Sequence, residues 1–134
     1  METQLDEMIE EIQKYQITDS RTMRERKKKV LQTLLLEPDV FKQYQTLLLE
    51  YRYVDEVDEL RMGSYLRFFR LNTDTLNLGR GGFLADIKLQ KQVIVLLLKN
   101  GNRFFNLKMD ECILFQKNTT QEQVLIQILD QIKR

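Results

Sequence analysis

The apolar positions of this chain repeat with two different periods. Near the N-terminus, Leu5, Met8, Ile9 and Ile12 recur at three and four residues. That spacing lines one face of an α-helix and predicts a helix over about residues 2–16. Thr18-Asp19-Ser20 offers N-caps for a second helix, which carries Met23, Val30, Leu31, Leu34 and Leu35 roughly on one side. It must end near Glu37, because Pro38 disfavours helical geometry in the residue before it and itself suits a first helical turn. A third helix follows on Val40, Phe41, Tyr44, Leu47, Leu48 and Tyr51, reaching about Asp55 or as far as Leu60.

At Met62-Gly63 the period changes. SYLRFFRL is aromatic-rich and strand-like, with Tyr65, Arg67, Phe69 and Leu71 facing one way and Leu66, Phe68 and Arg70 the other. FLADIKL and QVIVLLLK read as two more strands, the second buried on both faces because it scarcely alternates. Asn100-Gly101, between two apolar runs, predicts a tight hairpin with positive φ at both residues. RFFNLKM returns along that hairpin, Met109-Asp110-Glu111 turns, and CILFQK is a fifth strand. Asn118-Thr119-Thr120 caps a last helix, with Gln123 as the capping-box partner of Thr120. Helices and strands are segregated, so the expected class is α+β. The expected organisation is a helical region of three helices over 1–62, a five-stranded antiparallel barrel of the SH3-like kind over 63–118, and a C-terminal helix over 119–134.

Composition narrows the function classes. The chain has 134 residues, 43% of them hydrophobic, which is material for one packed domain or two very small ones. A single cysteine, Cys112, forbids an intramolecular disulfide and points to a reducing compartment. The longest apolar run, Val93 to Leu98, is far short of the ~20 residues a bilayer needs, so no membrane partner is expected. The acidic, amphipathic N-terminus reads neither as a signal nor as a transit peptide. There is no histidine, so acid–base chemistry would fall to other groups, and a metal site lacks material. Cys112 lies in an apolar strand and reads as core filling. No enzyme and no cofactor is expected.

Charge is unevenly spread although the net is only +1. Residues 1–20 hold six acids and one lysine; residues 21–33 hold six bases and one acid. Residues 34–62 are again acidic, and residues 63–118 hold nine bases against four acids. Local patches of this kind set binding. The run Arg24, Arg26, Lys27, Lys28 and Lys29 offers phosphate contacts, or else pairs with acidic flanks such as Glu10-Glu11 or Glu56-Glu59. In the strand region, Arg67, Arg70 and Arg80 are interleaved with aromatics, the combination that single-stranded nucleic acid uses. Tyr65 and Phe69 are the candidate partner-binding aromatics there.

LNLGRGGFLADI holds three of the five glycines within four residues. A Walker loop needs Gly-Lys-Ser/Thr after its spacer, and a dinucleotide fingerprint needs a third glycine three residues on, opening a helix. Neither spacing is present. Gly79, Gly81 and Gly82 therefore read as a turn or bulge that starts a strand. Arg80, on that glycine-flanked tip, remains a candidate anion contact.

The run GSYLRFFRLNTDTLNLGRGGFLADI, with VIVLLLKN, RFFNLKM and CILFQK, resembles a group of uncharacterised proteins of large cytoplasmic DNA viruses, including marseillevirus-like ones. Gly63, Tyr65, Leu66, Arg67, Phe68, Phe69, Gly81, Gly82, Leu84, Lys99, Asn100, Phe115 and Lys117 carry the likeness, over about residues 60–118. It implies a small SH3-like or Tudor-like barrel. It also implies a setting in the viral factory of the host cytoplasm or in the virion, with the nucleus as another possibility. Such proteins often carry tryptophan where this chain has Phe104-Phe105. The expected function is a non-enzymatic module that binds DNA, RNA or a host or viral chromatin-associated protein. The competing expectation is a homo-oligomeric structural or virion-assembly protein, driven by apolar helix faces.

Overall fold

The computed structural model describes residues 3–132. Its elements run α1 (Gln4–Lys14), α2 (Ser20–Gln32), α3 (Pro38–Leu47), β1 (Tyr51–Val54), β2 (Tyr65–Arg70), β3 (Gly82–Gln90), β4 (Val93–Asn100), β5 (Arg103–Lys108), β6 (Cys112–Lys117) and α4 (Thr120–Ile132). Short 3-10 turns lie at Val57–Glu59 and Met109–Glu111. The class is α+β, with four helices and one six-stranded antiparallel sheet of order β1-β6-β2-β3-β4-β5 among the described residues.

Two expectations are corrected here. The third helix does not reach Asp55; it stops at Leu47, and Tyr51–Val54 form a strand instead. Tyr44, Leu48 and Tyr51 satisfy a helical period, but Arg52 and Val54 also alternate with Tyr51 and Tyr53. Pairing with β6 decides in favour of the strand (Tyr53 opposite Phe115, Val54 opposite Leu114). The five-stranded closed barrel becomes an open six-stranded sheet, because β1 adds to the edge of β6 and nothing joins β1 to β5.

The sheet is nonetheless strongly curled. β5 and β6 stand four places apart, about 19 Å in a flat sheet. Only Met109–Glu111 links them, and the four steps from Lys108 to Cys112 reach about 14 Å at full extension. Val54 of β1 and Leu107 of β5 share one core with Leu66, Leu84, Leu98 and Leu114. The bend is made in β3, whose register shifts between Leu84 and Asp86, a bulge that turns the strand from β2 toward β4. On the outer face, α2 and α3 cover β1, β6 and β2 through Leu31, Leu48, Phe69 and Phe115.

Turn chemistry departs from expectation in two places. Asn100 pairs with Arg103, so the hairpin turns on Gly101-Asn102, and Gly101 has positive φ. The preceding hairpin turns on Lys91-Gln92, both at positive φ, without a glycine to announce it. The last helix is capped one residue earlier than expected. The Glu122 amide donates to the Thr119 hydroxyl and the Thr119 amide donates to the Glu122 carboxylate. Leu35, expected on the apolar side of the second helix, lies beyond its end at positive φ and is 90% exposed.

A buried polar network fastens α4 and α1 to the sheet. Arg52 of β1 donates twice to Glu122 of α4, at 3.0 and 2.8 Å, and once to Asn118 at 2.6 Å. Both partners are almost wholly out of solvent, 3% and 0% exposed. Arg61 donates to Glu122 at 3.1 Å and to Glu11 of α1, and stacks over the Tyr15 ring at 4.0 Å. Gln116 beside them accepts from Ser64 and from the Arg61 amide, and donates to the Glu59 carbonyl.

Burial alone would raise the pKa of Glu122, but the hydrogen bonds and charge of Arg52, the Thr119 amide and Arg61 outweigh it and hold the carboxylate below its ordinary range. A depressed acid contributes stability that is present above the unfolded value, near 4.3, and is lost as pH falls through the folded value. We expect Glu122→Gln to cost about 3–5 kcal/mol at neutral pH in urea denaturation, because Arg52 is left buried and uncompensated. The variant should also show a shallower stability loss than the parent below about pH 4.

Candidate nucleic-acid interface

The basic run on α2 is split by the fold. Arg24, Lys28 and Lys29 are exposed. Arg26 lies 3.5 Å from Glu59 and stacks on the Tyr53 ring at 5.1 Å, so part of the run does meet the acidic flank. Lys27 is corrected as a phosphate contact. It is 7% exposed, and its Nζ donates to the carbonyls of Leu48 at 2.6 Å and Tyr51 at 2.9 Å. It thereby closes the C-terminal end of α3, where carbonyls lack helical partners, and covers the free edge of β1. Burial, then the neighbouring Arg24 charge, lowers its pKa to about 8.

Phe69 is corrected as a partner-binding aromatic. It is fully buried, edge-on to Tyr44 at 5.3 Å and to Phe115 at 6.0 Å. Tyr65 remains partly exposed, its hydroxyl donating to the Arg80 carbonyl at 2.8 Å. Arg67 is partly buried and its Nε donates to the Gly79 carbonyl at 2.9 Å.

Those two bonds belong to the docking of the glycine segment onto β2. The Gly79 amide donates to the Phe68 carbonyl at 2.8 Å, and Asn100 of the β4–β5 hairpin donates to the Gly81 carbonyl at 2.8 Å. Gly81 has φ +93°, and a Cβ there would fall 2.0 Å from the Leu66 carbonyl oxygen. The glycines thus serve close approach as well as the expected start of a strand.

Docking of this loop brings three arginines together. Arg70 ends β2, Arg80 sits between the glycines, and Arg103 opens β5. All three line one cleft of about 480 Å³, with Phe68 and Phe105 in its wall and Phe104 at its margin. No acidic side chain among the described residues lines it. None of the three arginines is in an ion pair among the described residues. Arg70 lies over the Phe68 ring at 5.6 Å, and Phe68 meets Phe105 at 5.9 Å.

A second arrangement adjoins the cleft. Tyr65 stands opposite Phe83, Phe83 opposite Lys99, and Lys99 opposite Phe104. Directly opposed residues share a face, so four strands contribute one transverse row. Leu66, Leu84 and Leu98 beside them point into the core. Phe83 is 54% exposed and Phe104 58%. Tyr65 meets Phe83 edge-on at 5.0 Å, and the Lys99 ammonium lies 5.5 Å from the Phe104 ring.

No known protein family, curated protein or solved structure matches this chain. Other chemistry finds little support in the geometry. Among the described residues no group of three or more acids or cysteine could hold a metal ion. No described helix is long and apolar enough to cross a membrane. Cys112 is half-buried, and burial pushes its thiol up to about 11, which keeps it protonated near neutrality.

Sequence reasoning identified Arg70 and Arg80 but missed Arg103 and Phe104 as their neighbours. The hairpin itself held that signal. With Asn100 paired to Arg103, Lys99 must face Phe104, and a charged residue in a half-buried strand faces solvent.

Lys27 gives a pH test of its placement. Its folded pKa of about 8 lies below the ordinary lysine value of 10.5. Between the two, the unfolded chain binds more protons than the folded one, so stability rises with pH. A neutral amine still has two N–H donors for its two carbonyls. Urea denaturation should show a gain of up to about 3 kcal/mol from pH 8 to 10 that Lys27→Met lacks.

Proposed function

We propose that this protein is a non-enzymatic nucleic-acid-binding module whose contact surface is the arginine cleft, rather than the basic run of α2 as a whole. The observation that carries this reading is the convergence of Arg70, Arg80 and Arg103, from three separate chain segments, on an aromatic-walled concavity without a carboxylate. Unpaired guanidinium groups on a fixed backbone suit phosphate oxygens, which they meet in a bidentate fork. Arg24, Lys28 and Lys29 extend the positive field and strengthen encounter. The fold supports the reading: β2 to β5 form a meander, and a 3-10 turn returns β6 to β2, as a half-open SH3-like barrel would. The viral factory or virion implied by the sequence resemblance is the setting we attach to it.

Fluorescence anisotropy with labelled oligonucleotide over a salt series tests this. Each neutralised phosphate contributes about 0.7 to 0.9 to the slope of log affinity against log salt. Changing Arg70, Arg80 and Arg103 together to Gln should lower that slope by about 2 to 3, whereas Lys28→Gln with Lys29→Gln should lower it less. An unchanged slope in the arginine variant would move the contact elsewhere.

Self-association is the second reading, and one feature favours it. Val124, Ile128 and Ile132 stand at i, i+4 and i+8 on α4 with large exposure. A second copy would cover this stripe. Light scattering should then show mass rising with concentration in the absence of nucleic acid, and Val124→Lys with Ile128→Lys should abolish the rise.

A further inference from the structure

We infer that the nucleic acid this surface takes is single-stranded, its unpaired bases stacking on Phe83 and Phe104; this rests on the nucleic-acid reading above and specifies its substrate class. Two phenylalanines more than half exposed stand on one sheet face in register with each other, which presents two ring surfaces on one platform. Lys99 lies between them in register, so the two rings sit two strand spacings apart, about 10 Å. α2 and α3 cover β1, β6 and β2 and leave this part of the sheet open.

The row ends beside the arginine cleft, since Phe104 belongs to both. The row is on the outer face, while Arg103, opposite Asn100, shares the inner face with Phe105. A strand laid across β3, β4 and β5 would therefore place bases on the two rings and a phosphate at Lys99, then pass over the end of the sheet at Phe104 to reach the cleft arginines. Aromatic faces and a positive groove together are the recurring means of holding unpaired bases, whatever their sequence. In a duplex the base faces are occupied by their neighbours in the stack, and rings on a sheet surface cannot reach them. Duplex would retain only the phosphate contacts.

Tyr65 fixes the row. Its hydroxyl is tied to the Arg80 carbonyl and its ring braces Phe83 edge-on, so one face of Phe83 stays free. The Arg80 backbone is thereby linked to the stacking platform.

The test uses the full chain, a short labelled single strand in DNA and RNA form, and the duplex of the same sequence. The single strand should bind at least about tenfold more tightly than the duplex at equal salt. Phe83→Ala and Phe104→Ala should each weaken single-strand binding about fivefold or more. Phe83→Ala, which lies outside the arginine cleft, should leave duplex binding and the salt slope unchanged, because no phosphate contact is lost. Phe104→Tyr, which keeps the ring face, should restore affinity. Circular dichroism and urea midpoints close to the parent's would confirm folding, as expected for exposed positions. Equal affinity for both forms, with the alanine variants inert, would overturn the stacking inference and leave the arginine cleft as a duplex-tolerant phosphate site. Absence of binding by either form at low salt would overturn both the inference and the reading beneath it.

Discussion

The pairing of Arg52 with Glu122 is the constraint on which the arrangement of the whole molecule depends. The two residues are 70 positions apart, and both lose almost all contact with water. Taking either charge out of solvent alone would be prohibitive, so β1 and α4 are compelled to occupy one relative position. Glu122 serves three masters at once: the Arg52 fork, Arg61, and the amide of Thr119 that caps its own helix. Arg61 extends the link to Glu11, which draws α1 onto α4. Such a network is weak as a source of net stability and strong as a source of uniqueness in the packing here, since each misplacement strands a charge.

The same logic sorts the charges along the chain. The acids that matter to the fold are engaged: Glu11 with Arg61, Glu59 with Arg26, Glu122 with Arg52. The basic run on α2 is partly consumed by structure, Lys27 on two carbonyls and Arg26 on Glu59 and Tyr53. Of the described bases outside ion pairs, Arg70, Arg80, Lys99 and Arg103 gather around the β2–β3 loop and the β4–β5 hairpin, while Arg24, Lys28 and Lys29 remain on α2. The bonds from the Gly79 amide and from the Asn100 and Tyr65 side chains fix those segments against each other. A ligand meeting Arg80 and Arg103 would thus find their backbones already ordered, which lowers the entropy lost on binding.

The strands from β2 to β6 were legible in the sequence as short apolar or aromatic runs, most of them ended by a turn signal, although the Lys91-Gln92 turn between β3 and β4 carries none. CILFQK is the clearest, its boundaries fixed by an acidic turn before it and a capping cluster after it. β1 was not legible, because Tyr44, Leu48 and Tyr51 serve a helix as well as they serve a helix followed by a strand; only β6, some 60 residues later, breaks the tie. Curling without closure was equally hidden, since it follows from a bulge at Ala85 that has no local marker. At the site, residue type pointed to Arg70 and Arg80, but orientation defeated two assignments. Lys27 sits at the one buried position of its run, and Phe69 faces the helices while Tyr65, four residues earlier on the same side, runs beyond their cover.

That last contrast explains why the sheet has two unlike outer surfaces. Cover by α2 and α3 extends over three of six strands, because Lys27 and Arg26 anchor α2 to the carbonyl edge of β1 rather than to the middle of the sheet. The remaining strands must present their outward residues to solvent or to a ligand. On β5 Asn106 and Lys108 are polar and exposed, as is Lys99 on β4, while the other outward residues of β4, Val93, Val95 and Leu97, are half-buried. Arg103 and Lys108 bracket the free edge of β5, where charge opposes pairing with a foreign strand. Phe83 and Phe104 are the more exposed apolar residues of that face and stand in register with each other, on either side of a lysine. A chance exposure would have no reason to respect that alignment, whereas the proposed surface for unpaired bases on an anionic backbone would.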